Sequence, residues 1–393
     1  MSTKIDEVVL ENAPKNAQYI APEIQKDILH IMANIVQQMV REEVEDKFFC
    51  IIVDEARDIS KQEQMTIILR FVNNNGILIE RLFAIKSVSD TISLNLEKEI
   101  SSVLVHHDLQ VKKIRGQGYD GASNMRGAWN GLQALFLRDC PYAYYVHCFA
   151  HQLQLTLVYA AKDVSVICKL FSHLDNIVNI VTSSTKRIVE LHTAQRNEIE
   201  YMLAIGERDF GSGANQIAID CILMELNTQF NESSVELLSL STALDPKNSF
   251  DLISSDDICK LAKKFYHEDF TNQDIVALEH ELVHYKLDVM QNLKVSTLVE
   301  LCQQLTESER SNVYIMLTRL IHLVLTLPVS TASTEQAFSV MKHVQTTLRN
   351  KMEDDFLEDY LTLYIERDLA KNIDVDSIVN DFYVSKSRRA QLC

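Results

Sequence analysis

Residues 48–58, FFCIIVDEARD, limit the possible folds of this chain more than any other stretch. An unbroken run of Phe, Cys, Ile and Val is a buried strand, and here it leads directly into Asp54, Glu55 and Asp58. A sheet must bury the run and still present carboxylates at its mouth. The flanking segments supply that sheet. KFFCIIVDEA, MTIILRFVN and RLFAIKSV read as three strands, with the turn signal NNNG (73–76) between the second and third. DTISLNLEKEISSVLVHHD (90–108) then opens on an Asp-Thr cap and brings Leu94, Ile100, Val103 and Leu104 near helical spacing. VKKIRGQGYD (111–120) is expected as a strand parallel to the first, because right-handed crossovers favour a parallel neighbour. GASNMRGAWNGLQALF reads as a glycine-started helix, AYYVHCFAH as a fifth strand, and 151–181 as a long helix.

Three strands, helix, strand, helix, strand is the order of an RNase H-like sheet, so the expected class is α/β (α+β), a mixed sheet flanked by helices. Asp54 and Asp120 each follow the apolar part of a strand. On parallel neighbours about 4.8 Å apart, their carboxylates converge at one sheet edge. Acids brought that close repel each other unless a divalent cation lies between them, and Mg²⁺ suits hard oxygen ligands.

Composition narrows the setting. With 393 residues and 47% hydrophobic content, the chain has material for one large domain or two medium ones. Nine Gly and five Pro argue against low complexity and β-rich repeats. No segment approaches the roughly 20 apolar residues that span a bilayer, so no membrane association is expected. Eight scattered cysteines without paired spacing point to reduced thiols in cytosol or nucleus. The net charge of −17 repels nucleic acid at long range. VKKIRGQG (111–118), HVQTTLRNK (343–351) and SKSRRAQ (385–391) are the basic stretches, each readable as a solvated face, so at most weak DNA binding is expected.

From about 186 to 320 the texture is helical and acidic, with breaks at GSGANQ (211–216) and ALDPKNSF (243–250). Then comes LTLPVSTASTEQAFSVMKHVQTTLRNKM (325–352): Pro328 ends what precedes it, the Ser/Thr run offers caps, and Glu335 lies in the first turn of a new helix. A glutamate in that place is also a common helix-start device.

VDEARDISKQEQM, RGQGYDGASNMRG, HCFAHQLQL and the 325–352 stretch together resemble the signature segments of the hAT (hobo/Activator) transposase superfamily. The nearest subgroup is the one associated with TTF-type or MYM-type zinc fingers. The resemblance covers nearly the whole chain and implies an RNase H-like body interrupted by an all-helical insertion and ending in a hAT C-terminal dimerisation region. It implies the division 1–46 N-terminal helical segment, 47–181 first part of the RNase H-like domain, 182–310 shortened insertion, 311–375 completion with dimerisation region, and 376–393 tail. The insertion, being short, is expected to pack loosely. The family's catalytic acids carry over as Asp54, Asp120 and Glu335, which implies two-metal Mg²⁺ phosphoryl transfer if activity is retained. Glu55 and Asp58 are then solvated neighbours or caps. Cys148 and His151 match the family's Cys-x-x-His element. No second pair stands at finger spacing, so no structural zinc is expected and a structural or DNA-end-facing role is favoured. His147 alternates away from Cys148 on a strand.

The departures bear on activity. Residues 1–46 hold no Cys or His pair for a zinc finger, GSGANQI runs on without the family's Asp-x-Arg-Trp motif, and Gln336 stands where STER is usual. The expectation is a transposon-derived, domesticated protein that keeps the fold and a dimerisation region without autonomous transposition. The alternative is a Mg²⁺-dependent DNA nuclease or strand-transfer enzyme of the DDE type. By resemblance the location is nuclear, otherwise cytoplasmic. The C-terminal helices would pair with a second copy or a related hAT-like chain, or else fill their own core; in the first case Leu325 and Leu361 would lie at the interface.

Overall fold

The computed structural model describes residues 21–58, 61–163, 234–246, 254–292, 295–348 and 354–385, with isolated positions between 169 and 183. The chain divides into two compact units, 1–149 with 233–393, and 150–232. The expected insertion begins at 182, whereas the second unit begins at Ala150, inside the long helix that follows the fifth strand. Residues 1–20, most of 164–233 and the tail from 386 lie outside the described residues. Among the described residues no helix is long and apolar enough to cross a membrane.

The first unit opens with α1 (Pro22–Val44), where proline at the first helical position has no amide of its own to leave unsatisfied. Val36, Val40 and Val44 recur on its buried stripe. A five-stranded mixed sheet follows: β1 (Phe49–Arg57), β2 (Glu63–Val72), β3 (Leu78–Val88), β4 (Ile114–Tyr119) and β5 (Tyr144–His147), in spatial order β3-β2-β1-β4-β5. β1 pairs antiparallel with β2, and β2 with β3, while β4 lies parallel to β1 and β5 parallel to β4. This is the mixed sheet expected from the sequence.

Between β3 and β4 runs α2 (Ser93–His106). Asp90 does not cap it; the carboxylate instead accepts from Ile92 N at 3.0 Å in the turn before it. Leu94 is exposed, because the buried stripe is Leu96, Ile100, Val103 and Leu104, from which Leu94 is rotated by about half a turn. The segment after Asp120 is two short helices, α3 (Ser123–Arg126) and α4 (Leu132–Asp139), where one was expected. α5 (Phe149–Asp163) follows β5.

The remaining described helices are α6 (Ser234–Ser241), α7 (Ser255–Phe265), α8 (Asn272–Asn292), α9 (Leu298–Glu307), α10 (Ile315–Thr326), α11 (Ala332–Leu348), α12 (Asp354–Ile365), α13 (Arg367–Ala370) and α14 (Val375–Ser385). The helices α6 to α10 share one core that includes Leu237, Leu261, Leu278, Leu301, Leu320 and Leu325. Val276, Val283 and Leu287 of α8 stay exposed outside this core. The α10 N-terminus is capped from outside its own helix, since Glu281 of α8 accepts from Met316 N and Leu317 N at 3.0–3.1 Å.

The sheet separates two further cores by strand alternation. Ile51 and Val53 face α1, α2 and α4, whereas Ile52, Ile68 and Leu82 face α11 and α12 through Phe338, Met341 and Leu361. Leu325 and Leu361 are thus interior to this chain. The expectation that they line an interface is corrected here.

Candidate functional site

The parallel pair β1 and β4 sets the site. Ile52 is in register with Gly118, and two residues further on Asp54 and Asp120 stand at matching positions at the carboxyl ends of the two strands. Alternation puts Asp54 on the Ile52 face, toward α11. Only a residue without a side chain fits at 118: a Cβ there would lie 2.7 Å from Pro328 Cβ. Pro328 therefore rests on β4, and the loop beyond it leads α11 to Asp54. Asp120 is held by its own turn, with Oδ1 accepting from Ala122 N at 3.1 Å and its carbonyl from Tyr145 Oη at 2.9 Å.

Cys148 fastens the same loop. Thr331 N and Oγ1 both donate to its buried Sγ, at 3.3 and 3.2 Å, and Phe149 N donates to Val329 O at 3.1 Å. The thiol acts here as a hydrogen-bond acceptor. His151 lies in the second unit. His147 is fully buried on β5, its ring packed against Gly121, where a Cβ would stand 2.7 Å from Cε1.

The electrostatics follow from crowding. The Asp54 pKa is raised to about 6, first by burial and then by the charges of Asp120 and Glu335, against the hydrogen bonds from Glu55 N and Thr334. Glu55 is raised to about 7, again by burial first, then by Asp120, Glu63 and Asp54. Glu55 points to the opposite face and accepts from Asn124 Nδ2 at 3.1 Å. Asp58 is a buried turn cap: Oδ1 accepts from Gln62 N at 2.8 Å and Oδ2 from Gln345 Nε2 at 3.3 Å. Asp120 and Glu335 are thus each within electrostatic reach of Asp54. Among the described residues no three His, Cys, Asp or Glu side chains are gathered closely enough to hold one metal ion as they stand. Thr334 and Asn124, the neutral partners of Asp54 and Glu55, were missed in the sequence; both sit in quoted motifs, STASTEQ and GASNMRG, which was the available signal.

Residues 1–131 match the ZMYM1/FAM200 RNase-like domain, and residues 286–369 match the hAT family C-terminal dimerisation region. Asp54 and Asp120 fall in the first match and Glu335 in the second. The chain carries hAT-derived domains. This hAT-derived chain is also similar to the human protein called 52 kDa repressor of the inhibitor of the protein kinase, 22% identical over 193 residues, a match covering 45% of this chain and 25% of the relative. It spans about a quarter of that relative's length. In the hAT-derived chain the dimerisation match takes in α9 to α12 and most of α13, so the helix carrying Glu335 belongs both to the carboxylate site and to the matched assembly region.

Proposed function

We propose that this chain acts by assembly: it pairs with a second copy or a related hAT-derived chain through its C-terminal helices, without autonomous transposition, and works in the nucleus. One observation carries the proposal. Val375, Val379 and Tyr383 form an exposed apolar edge along α14, and Tyr364 is exposed on α12, although both helices pack on α1. Each large apolar side chain left in water forgoes roughly 1.5–3 kcal/mol of burial, so a few are enough to favour association. The dimerisation-region match and the relative whose name describes a repressor support an assembling rather than a cutting role. Gln336 in place of the family's arginine also argues against transposition. Net charge of −17 keeps any DNA binding weak.

Sedimentation of the full chain at tens of micromolar tests this. A dimer dissociated by Tyr383→Glu and Val379→Glu, each leaving the melting temperature of the dilute monomer unchanged, is the expected result. A monomer, or a dimer indifferent to both changes, refutes it.

A second reading, Mg²⁺-dependent cleavage or strand transfer on DNA, is favoured by the register match of Asp54 with Asp120. The oxygen donor set suits Mg²⁺, and a cation would offset both the burial and the neighbouring negative charges that raise the Asp54 pKa. Asp54, Asp120 and Glu335 are the residues that would hold it, after side-chain rotation that releases Asp54 from Thr334. When bound, such an ion activates a water or hydroxyl nucleophile and stabilises the leaving oxygen. Mg²⁺ titration of the full chain and of Asp54→Ala, followed by calorimetry and by DNA cleavage, decides between the two readings.

A further inference from the structure

At the opposite end of β1 from Asp54, a cavity of about 380 Å³ opens between the start of the strand and α10. Phe48 and Asp54 are six residues apart on an extended strand, about 20 Å, so this cavity is separate from the carboxylate site. The cavity gathers cations in a strongly acidic protein: Lys47, Lys113 and Arg319 all line it, against a single acid, Asp46. Lys113 also lies over the Phe48 ring, 5.4 Å from its centroid. Ile315 and Leu323 supply the apolar wall.

Two buried polar atoms on α10 have no partner here. Thr318, 8% exposed, leaves its Oγ1 unbonded, and His322 leaves its Nε2 unbonded. A buried helical threonine ordinarily returns its hydroxyl to a carbonyl one turn back, as Thr326 does to Leu323 O at 2.8 Å. Thr318 does not, and it lines the cavity instead. An orphaned buried hydroxyl is destabilising, a cost that a ligand oxygen would recover. The cations are only partly engaged. Lys113 donates to Asp46 O at 2.9 Å, and Arg319 to Asp269 O at 3.2 Å with Asp274 3.9 Å away. Lys47 is held by Glu43 O and by Glu45. Lys113 and Arg319 thus keep N–H groups for an anion. Burial, with Lys47 nearby, lowers the His322 pKa and so favours the neutral ring, which can donate or accept.

We propose that this cavity binds a small molecule with an apolar body and an anionic head, a phosphate or a carboxylate. The head sits between Lys113 and Arg319, Thr318 and His322 bond its oxygens, and the body lies against Phe48, Ile315 and Leu323. No part of this depends on assembly or on metal at Asp54.

Calorimetry and amide-shift titration of the full chain with adenosine monophosphate and, separately, with indole-3-acetate test the proposal and identify the head group. One of the two should bind saturably at one site per chain. Lys113→Gln should weaken it about tenfold, the loss of one charged hydrogen bond. Thr318→Val should weaken it about fivefold while leaving the melting temperature equal or higher, because the substitution removes an unsatisfied hydroxyl. Failure of both probes to saturate, or binding that is indifferent to both substitutions in folded protein, overturns the proposal.

Discussion

Thr334 Oγ1 on α11 lies 3.3 Å from Asp54 Oδ2 on β1, a hydrogen bond between positions 280 residues apart. The same hydroxyl donates to Thr331 O at 2.6 Å, and it has one proton to give. Shared between two acceptors, that proton favours ionised Asp54 only in part and does not offset the effect of burial. That geometry agrees with a carboxyl raised to about 6.

The sign of the pH dependence follows. An unfolded aspartate titrates near about 3.9, so between about pH 4 and 6 the folded chain keeps a proton that the unfolded chain has lost. Stability from Asp54 falls as pH rises through that window, and the full penalty of the buried charge is present at about pH 7.5. Asp54→Asn is expected to stabilise by on the order of 1–2 kcal/mol at about pH 7.5 and to change little at about pH 4. Urea unfolding of both proteins at the two pH values measures it.

Leu361→Asp places a carboxylate in the core between the sheet and α12, where Leu361 is fully buried. We expect a loss of more than about 3 kcal/mol or failure to fold, at any protein concentration. Tyr383→Glu should instead change mass, leave the stability of the dilute monomer alone and remove the rise of stability with concentration. Thermal unfolding over a wide concentration range separates the two effects.

Arg115 of β4 joins the sheet to the turn between α7 and α8. Its Nε and Nη2 donate to the two carboxylate oxygens of Asp269 at 2.8 and 2.7 Å, and its guanidinium stacks 4.1 Å from the Phe48 centroid. Both side chains are almost wholly buried. Arg115→Ala is expected to cost roughly 3–5 kcal/mol, since it strands Asp269 without its partner. Arg115→Lys should recover only part of that, lacking the two-pronged geometry. Denaturant midpoints of the two variants test the difference.

Gly118→Ala should displace the Pro328 loop, because the new Cβ would stand 2.7 Å from Pro328 Cβ. The expected cost is about 1–3 kcal/mol. Amide shifts at Thr331, Thr334 and Glu335 should move with it. Unchanged shifts there would mean that Pro328 does not position α11.

The sequence by itself determined the sheet. Runs such as FFCIIVD bury only as strands, the NNNG turn lets β2 and β3 pair as neighbours, and the intervening helical spacing requires a parallel return at β4. Because two-residue alternation is a local property, the placement of Asp54 and Asp120 after apolar strand segments was legible as well. What surrounds them was decided by tertiary structure. Register put Asp54 beside Asp120 and sent Glu55 to the other face, where it met Asn124. Pro328 seated on Gly118 brought Thr334 to Asp54 across 280 residues, and sulfur contacts made Cys148 a clasp for that loop. Likewise, an apolar run such as IMLTRLIHLVLT states that burial is needed but not by what. The helices from α6 to α9 cover Leu325, which a reading of α10 alone had left for a second chain, because burial depends on which distant segments pack together and local spacing does not encode their identity.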